Sequence, residues 1–478
     1  MRRRCRLLAV LLLALLLLVA CTRSPEPPAP TPTSSGWPAP SPSRPVVELR
    51  FDVADDLRSV QGSERVTFTP DLRVCELVFR AWPNKPSTAE AGNSLTVGTV
   101  SVDGTRVPAD VQAAGAPDGA PGTLIDVPLP SCVDAGTSVE ASLTFSLVLG
   151  EDTDERVGTS SEDEVAWFGG AYPLLAWQPG VGWAKEAAVP VVGEVSTSED
   201  VELRSLEVVA SSRFDVLGVG SQEGTRTDGS GRTTHRFTAP AVRDIAVTVG
   251  DLETYEQQID GVAVHIGAPK LGTQAQLRHW ADQIASSLTR LRDQLGPVPY
   301  DDLWISVLPA VSDGIEFPGA VQFADVDPQQ NGGLVTHELA HMWFYGLVGN
   351  NQGLHPWLDE SFATFVQRVV DNPDRDPAPS NDVPDRARGD VGEPMSFWLD
   401  FDRPNRAYVR GVYDAGADAL IEARQRAGAK AFDEALRGYL RANAHKIATP
   451  DDVARAFANL PEALTVLQRA GALTAPAA

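Results

Sequence analysis

Apolar and polar residues alternate through most of the first half of the chain. Val46 to Val53, Arg65 to Thr69 and Cys75 to Trp82 each follow a period of two, the spacing of a half-buried β-strand. Leu143 to Leu149, Val201 to Val209 and Ala246 to Val249 continue the pattern, and Asp103-Gly104 and Asp228-Gly229 supply turns. The spacing predicts a β-sandwich or saddle over residues 46–255. Beyond about residue 260 the period changes. From Gln274 to Leu295 apolar side chains recur at helical spacing (Leu277, Trp280, Ile284, Leu288, Leu291, Leu295). Leu303 to Leu308 reads as a strand, and helices are predicted near 332–348, 358–371, 407–426, 429–444 and 450–459. The fold class expected is therefore multidomain: a β domain, then an α+β, mostly helical domain over 256–478.

The first 45 residues belong to neither domain. Arg2 to Arg6 form a basic start, and Leu7 to Ala20 a continuous apolar run too short for a spanning helix, so residues 1–20 read as a signal peptide. Leu18-Val19-Ala20-Cys21 resembles a bacterial lipobox, which would make Cys21 the lipidated first residue of the mature chain. Residues 21–45 are rich in Pro, Ser and Thr and read as a semi-stiff tether. The expectation is an exported protein, lipid-anchored on the outer face of a bacterial cytoplasmic membrane, at the cell surface or in the periplasm. Of the remaining cysteines, Cys5 lies in the signal, and Cys75 and Cys132 are expected to pair as a structural disulfide. The net charge of -24 argues against a nucleic-acid partner, because phosphate binding needs excess Lys and Arg.

Chemistry concentrates in the second half. His337-Glu338-Leu339-Ala340-His341 puts two imidazoles one helical turn apart, able to reach one zinc ion, with Glu338 a step round facing a metal-bound water. A catalytic zinc keeps three protein ligands and an open position. Glu360, in Pro356-Trp357-Leu358-Asp359-Glu360-Ser361-Phe362-Ala363, follows His341 with eighteen residues between them and is the candidate third ligand, returned by a second helix. Leu334, Val335, Leu339 and Met342 supply apolar flanks. His235, His265, His279 and His445 read as ordinary structural residues, and His355 as a residue near the cleft.

These motifs resemble the membrane alanyl aminopeptidase family of zinc peptidases, whose members share HExxH, eighteen residues, then Glu within W-L-x-E-G-F-A. The match runs from His337 to Phe365, with Ser361 where the family has Gly. Asp313-Gly314-Ile315-Glu316-Phe317-Pro318 is similar to the family's G-x-M-E-N or G-G-M-E-Y-P segment, with Asp313 replacing the first Gly. The resemblance implies that Glu316 binds the substrate's free α-amine and that Gly314 belongs to the same substrate-binding edge strand. Val412-Tyr413-Asp414-Ala415-Gly416-Ala417 is similar to the family's Y-x-K-G-A segment, with Ala415 replacing Lys, which implies a catalytic role for Tyr413; Tyr408 is the competitor. It also implies a thermolysin-like catalytic domain behind an N-terminal saddle. The family's large C-terminal helical domain is expected to be missing, giving a more open cleft. Its second acidic anchor for the amine has no counterpart identified in the sequence.

The function expected on these grounds is a zinc-dependent metallopeptidase, one Zn2+ per chain, removing N-terminal residues from peptides with a free N-terminus. Zinc would activate water and polarise the scissile carbonyl, with Glu338 the general base and Tyr413 a donor to the oxyanion. Two alternatives stay open: an endopeptidase or other zinc hydrolase on the same scaffold, and a non-catalytic surface binding lipoprotein. The side-chain preference and oligomeric state are not legible.

Overall fold

The computed structural model of the protein describes residues 36–191, 199–271, 276–374, 377, 380 and 383–474. The signal segment, Cys21 and the tether as far as residue 35 lie outside them. An eight-stranded sheet backs the N-terminal half, in the order Ser221–Thr227, Arg232–Val242, Val201–Ser211, Val46–Val53, Ser59–Phe68, Val139–Val148, Ser94–Val102, Thr105–Val107. Alternation does what it should: Ser59–Phe68 buries Val60, Val66 and Phe68 and exposes Gln61, Ser63 and Arg65. Two four-stranded sheets, built around Val165–Gly169 and Val74–Arg80, share one apolar core with it. Phe51 of the large sheet meets Phe168 edge to face at 5.1 Å. The Cys75–Cys132 disulfide ties strand Val74–Arg80 to strand Leu124–Val133.

The C-terminal half begins earlier than residue 256. Leu252–Ile259 is the first strand of a second, five-stranded sheet, continued by Val262–Pro269, Asp302–Leu308, Ala320–Ala324 and, at the edge, Gly314–Phe317. The boundary therefore falls at Asp251, between that strand and Ala246–Gly250 of the first half. Strand-like sequence resumes directly after Gly250-Asp251, so this short break did not mark where one sheet ends. Helix Leu277–Leu295 lays Trp280, Ile284, Leu288 and Leu291 on the core shared with helices Gly332–Ala340, Glu360–Asp371, Ala415–Ala427 and Ala429–Asn443.

Three further readings need correction. The helix expected over 332–348 stops at Ala340, because the chain turns through Tyr345 at φ +86° and Gly346 N–H returns to His341 O. The helix expected over 407–426 is three pieces: Pro404–Tyr408, a π-helical stretch Val409–Asp414, and Ala415–Ala427. The tether as read runs to residue 45, yet Trp37 is 1% exposed in the core of the C-terminal half, donating Nε1–H to Pro297 O at 2.9 Å. An indole so placed buries too much apolar surface to be part of a solvated linker.

The two halves share a wall. Phe317, Ala320, Trp304 and Leu308 of the five-stranded sheet are buried in the N-terminal core. That packing fixes the edge strand Gly314–Phe317 against one half and the HExxH helix against the other.

Candidate active site

Helix Gly332–Ala340 carries His337 and Glu338, and His341 caps its C-terminal end with helical dihedrals, so the i, i+4 spacing survives the end of the helix. Glu360 is the first residue of the next helix, whose N-cap Asp359 accepts the Glu360 N–H at 2.8 Å. The three side chains converge. His337 Nε2 and His341 Nε2 lie 3.3 Å apart, and Glu360 Oε2 lies 3.3 Å from the first and 3.4 Å from the second.

These separations test the fit of a metal. A tetrahedral centre with bonds of about 2.0–2.1 Å has edges of about 3.3–3.4 Å between its ligands. Three lone-pair atoms facing one another at those distances are arranged for a cation, and Glu360 Oε2 has no hydrogen-bond partner although buried. The Nδ1 of His341 faces Phe344 O at 3.2 Å, which fixes the tautomer that leaves Nε2 free for a metal. Burial by itself would lower the His341 imidazole, but Glu360 beside it pushes the ring well up, the mark of an anion that favours positive charge at this spot.

Around the trio lies a cleft of about 1020 Å³, lined from both halves of the molecule. Glu338 is buried on its wall, and Oε2 of its carboxylate is also without a hydrogen-bond partner. Burial first, then the nearby Glu316 and Glu360 charges, push its carboxyl well above the usual range, against the pull of His341. Gly314 belongs to this wall for a steric reason. A Cβ there would lie 2.3 Å from Glu338 Cγ, so only glycine lets the edge strand pass the carboxylate. Glu316, two residues on, is 4% exposed and lines the cleft. Ligand-type atoms of Glu316, Glu338 and His341 all lie within 4.8 Å of one another.

Tyr413 is half-buried at the cleft, its ring stacked on His337 with centroids 5.8 Å apart. It sits in the π-helical stretch, whose extra residue per turn re-aims a side chain. Tyr408 is fully buried, with its ring 6.3 Å from that of Trp398 and edge to face with Tyr413 at 5.9 Å. His355 is not among the cleft-lining residues. The structure thus brings His337, Glu338, His341, Glu360, Glu316, Gly314 and Tyr413 to one cleft, with Cys75 and Cys132 in the distant β domain.

Sequence reasoning missed what the N-terminal half adds. Lys85, Asp154, Glu155 and Arg156 line the same cleft. They stand in loops with no motif, and Glu151 to Arg156 reads as an ordinary solvated charge run.

Comparison with known proteins agrees with this geometry. Residues 321–469 match the peptidase family M1 domain. Aminopeptidase 2 of Candida albicans is 28% identical over 179 residues, which is 34% of this chain but 19% of that much longer protein. An M1 zinc metallopeptidase from Deinococcus radiodurans shares the fold at a TM-score of 0.63 and 17% identity, covering 93% of this chain and 98% of that one. A mutant of that enzyme bound to the substrate Tyr-Ser-Ala superposes with a TM-score of 0.62 at 17% identity, over 93% of this chain and 99% of the other.

Proposed function

We propose that this chain, whose residues 321–469 match the peptidase family M1 domain, is a zinc-dependent aminopeptidase, removing residues from the free N-terminus of peptides. One observation carries the proposal: a buried carboxylate, Glu316, on an edge strand within 4.8 Å of Glu338 and His341. A peptide added along that edge would place its α-ammonium against Glu316 and the bond behind its first residue near the trio. The curated relative that bears the name aminopeptidase and the tripeptide on the structural relative both support peptide substrates.

His337, His341 and Glu360 would hold the zinc, which supplies a Lewis acid that activates water and polarises the scissile carbonyl. Glu338 takes a proton from the attacking water and returns it to the leaving amine. Tyr413 donates its hydroxyl to the developing oxyanion. Glu316 sets the register from the amine. We further propose export and lipid anchoring at Cys21, which predicts acylation that the Cys21→Ser chain lacks.

The test is hydrolysis of a free-amine alanyl anilide and of its N-acetyl twin by the purified chain, with Glu338→Gln and a chelated sample alongside. Cleavage of the free-amine reporter alone, lost in both controls, is the expected result. Cleavage of both reporters would convert the reading to an endopeptidase or a less selective hydrolase on the same site.

A further inference from the structure

One loop of the N-terminal domain grips the strand that bears Glu316. Asp154 accepts Ser312 N–H at 2.8 Å and Ser312 Oγ–H at 2.6 Å. Arg156 donates from Nη1 to the Glu316 backbone O at 3.2 Å and from Nη2 to Glu316 Oε1 at 3.3 Å, while its guanidinium lies 5.3 Å from the Phe317 ring centre. The Arg156 and Glu316 side chains are 11% and 5% exposed. A guanidinium in that fork touches the main chain and the side chain of one residue at once, a contact that an ammonium on a flexible stem reproduces poorly.

Glu316 has reason to need such a hold. It shares a buried space with the Glu338 and Glu360 carboxylates, and its own oxygens lie within reach of His341. Like charges at that range repel, and a dication nearby draws in any carboxylate free to swing toward it. Left loose, Glu316 would be recruited as a surplus metal ligand or pushed from the cleft, and the amine would lose its partner either way. Arg156 engages Oε1 of that carboxylate.

We propose that Arg156 is a positioning residue of the amine subsite, holding Glu316 off the metal ligands and presenting it to the substrate's α-ammonium. The proposal rests on the aminopeptidase reading and adds a residue that acts only through Glu316. A guanidinium beside an ammonium site would otherwise be a defect, because it repels the ligand. Its hydrogen bond to the Glu316 main chain marks it as part of the frame rather than as a stand-in for the ligand.

The experiment uses the zinc-loaded full chain as wild type, Arg156→Lys, Arg156→Met, Glu316→Gln and the Arg156→Met/Glu316→Gln double variant. Zinc content and thermal melting are checked first. Calorimetry in a Glu338→Gln background, which does not turn the amide over, then measures binding of leucinamide and of N-acetyl-leucinamide, and steady-state kinetics of the chains that keep Glu338 follow on the free-amine anilide. Loss of a charge-assisted contact predicts a KM about tenfold higher in Arg156→Met, with kcat changed less and zinc content unchanged. The preference for leucinamide over its acetylated twin should shrink by a similar factor and recover in part in Arg156→Lys. In the Glu316→Gln background, Arg156→Met should add nothing, since the two residues act as one unit. A lower KM in Arg156→Met would show that Arg156 competes with the amine, and equal weakening of both ligands would show a mere brace; either overturns the proposal. If Arg156→Met does not fold, Arg156→Lys and Glu316→Gln decide: an undiminished leucinamide preference in Arg156→Lys overturns it. A wild type without any leucinamide preference overturns the aminopeptidase reading as well, whereas a preference that survives both Arg156 variants overturns the positioning role alone.

Discussion

Tyr413 is the side chain whose role depends most on a hydroxyl. Its ring stacks on His337 at the cleft, whereas Tyr408, five residues earlier, is buried on Trp398. Phenylalanine at 413 keeps the ring and removes the donor. Tyr413→Phe should lower kcat by about 10²–10³-fold with KM within a few-fold of wild type, as for loss of one oxyanion donor. Tyr408→Phe should leave kcat alone. Steady-state kinetics on the free-amine anilide separate the two; a raised KM with intact kcat in Tyr413→Phe would move the residue into substrate binding. At this scale the metal trio was legible in the sequence. His337 and His341 share a helical period, and the eighteen-residue interval to Glu360 leaves room for one turn and the start of a returning helix. Arg156 was not legible, because its partner lies 160 positions away and a lone arginine in an acidic run carries no spacing signal.

The helices hold the two sides of the cleft in register through the Arg368–Asp414 ion pair and one smaller contact. Ser361 of the Glu360 helix donates Oγ–H to Val412 O at 2.7 Å, a carbonyl of the π-helical stretch that carries Tyr413. Gly416, in the following turn, lets the two helices close. A Cβ at 416 would sit 2.0 Å from Ser361 Oγ and 2.6 Å from its Cβ. Rotating the hydroxyl away relieves only the first clash and gives up the bond to Val412, so the helices must part. Gly416→Ala should therefore cost about 1–3 kcal/mol in urea unfolding and lower kcat with little loss of zinc, because Tyr413 moves relative to Glu360. Unchanged stability and turnover would mean that the helices are not set by this contact. Strands and helices themselves followed from their periods, but the π-helical stretch did not. One extra residue in a turn barely disturbs an apolar pattern, so residues 407–426 read as a single helix although they are three segments.

Over the whole molecule, the halves meet across charged as well as apolar groups. Arg243 pairs with Asp200 at 2.6 Å and reaches Gly346 O, and His445 Nδ1 lies 2.5 Å from the same Asp200. Asp244, fully buried next to them, accepts Tyr345 O–H at 3.2 Å and Ile245 N–H at 2.7 Å. Such contacts join distant segments, and no sequence period encodes them. Burial pushes Asp244 up to about 7 against the pull of Ile245 N–H, Arg156 and Tyr345, with Glu316 adding to the rise. An unfolded Asp titrates near 3.9. The folded state therefore binds this proton more tightly, and the stability it contributes is complete below about pH 4 and drains away as pH rises through about 7. Asn at 244 stays neutral, keeps an acceptor for Ile245 and offers an N–H to Tyr345. The unfolding free energy of Asp244→Asn should therefore pull ahead of wild type as pH rises from about 4 to about 7 and hold level above it. The final gap should be on the order of a few kcal/mol. Urea titrations at pH 5, 6, 7 and 8 give the slope directly. A gap constant across that range would mean that the carboxylate stays ionised at the interface, with Arg156 or Arg243 as its effective counter-charge.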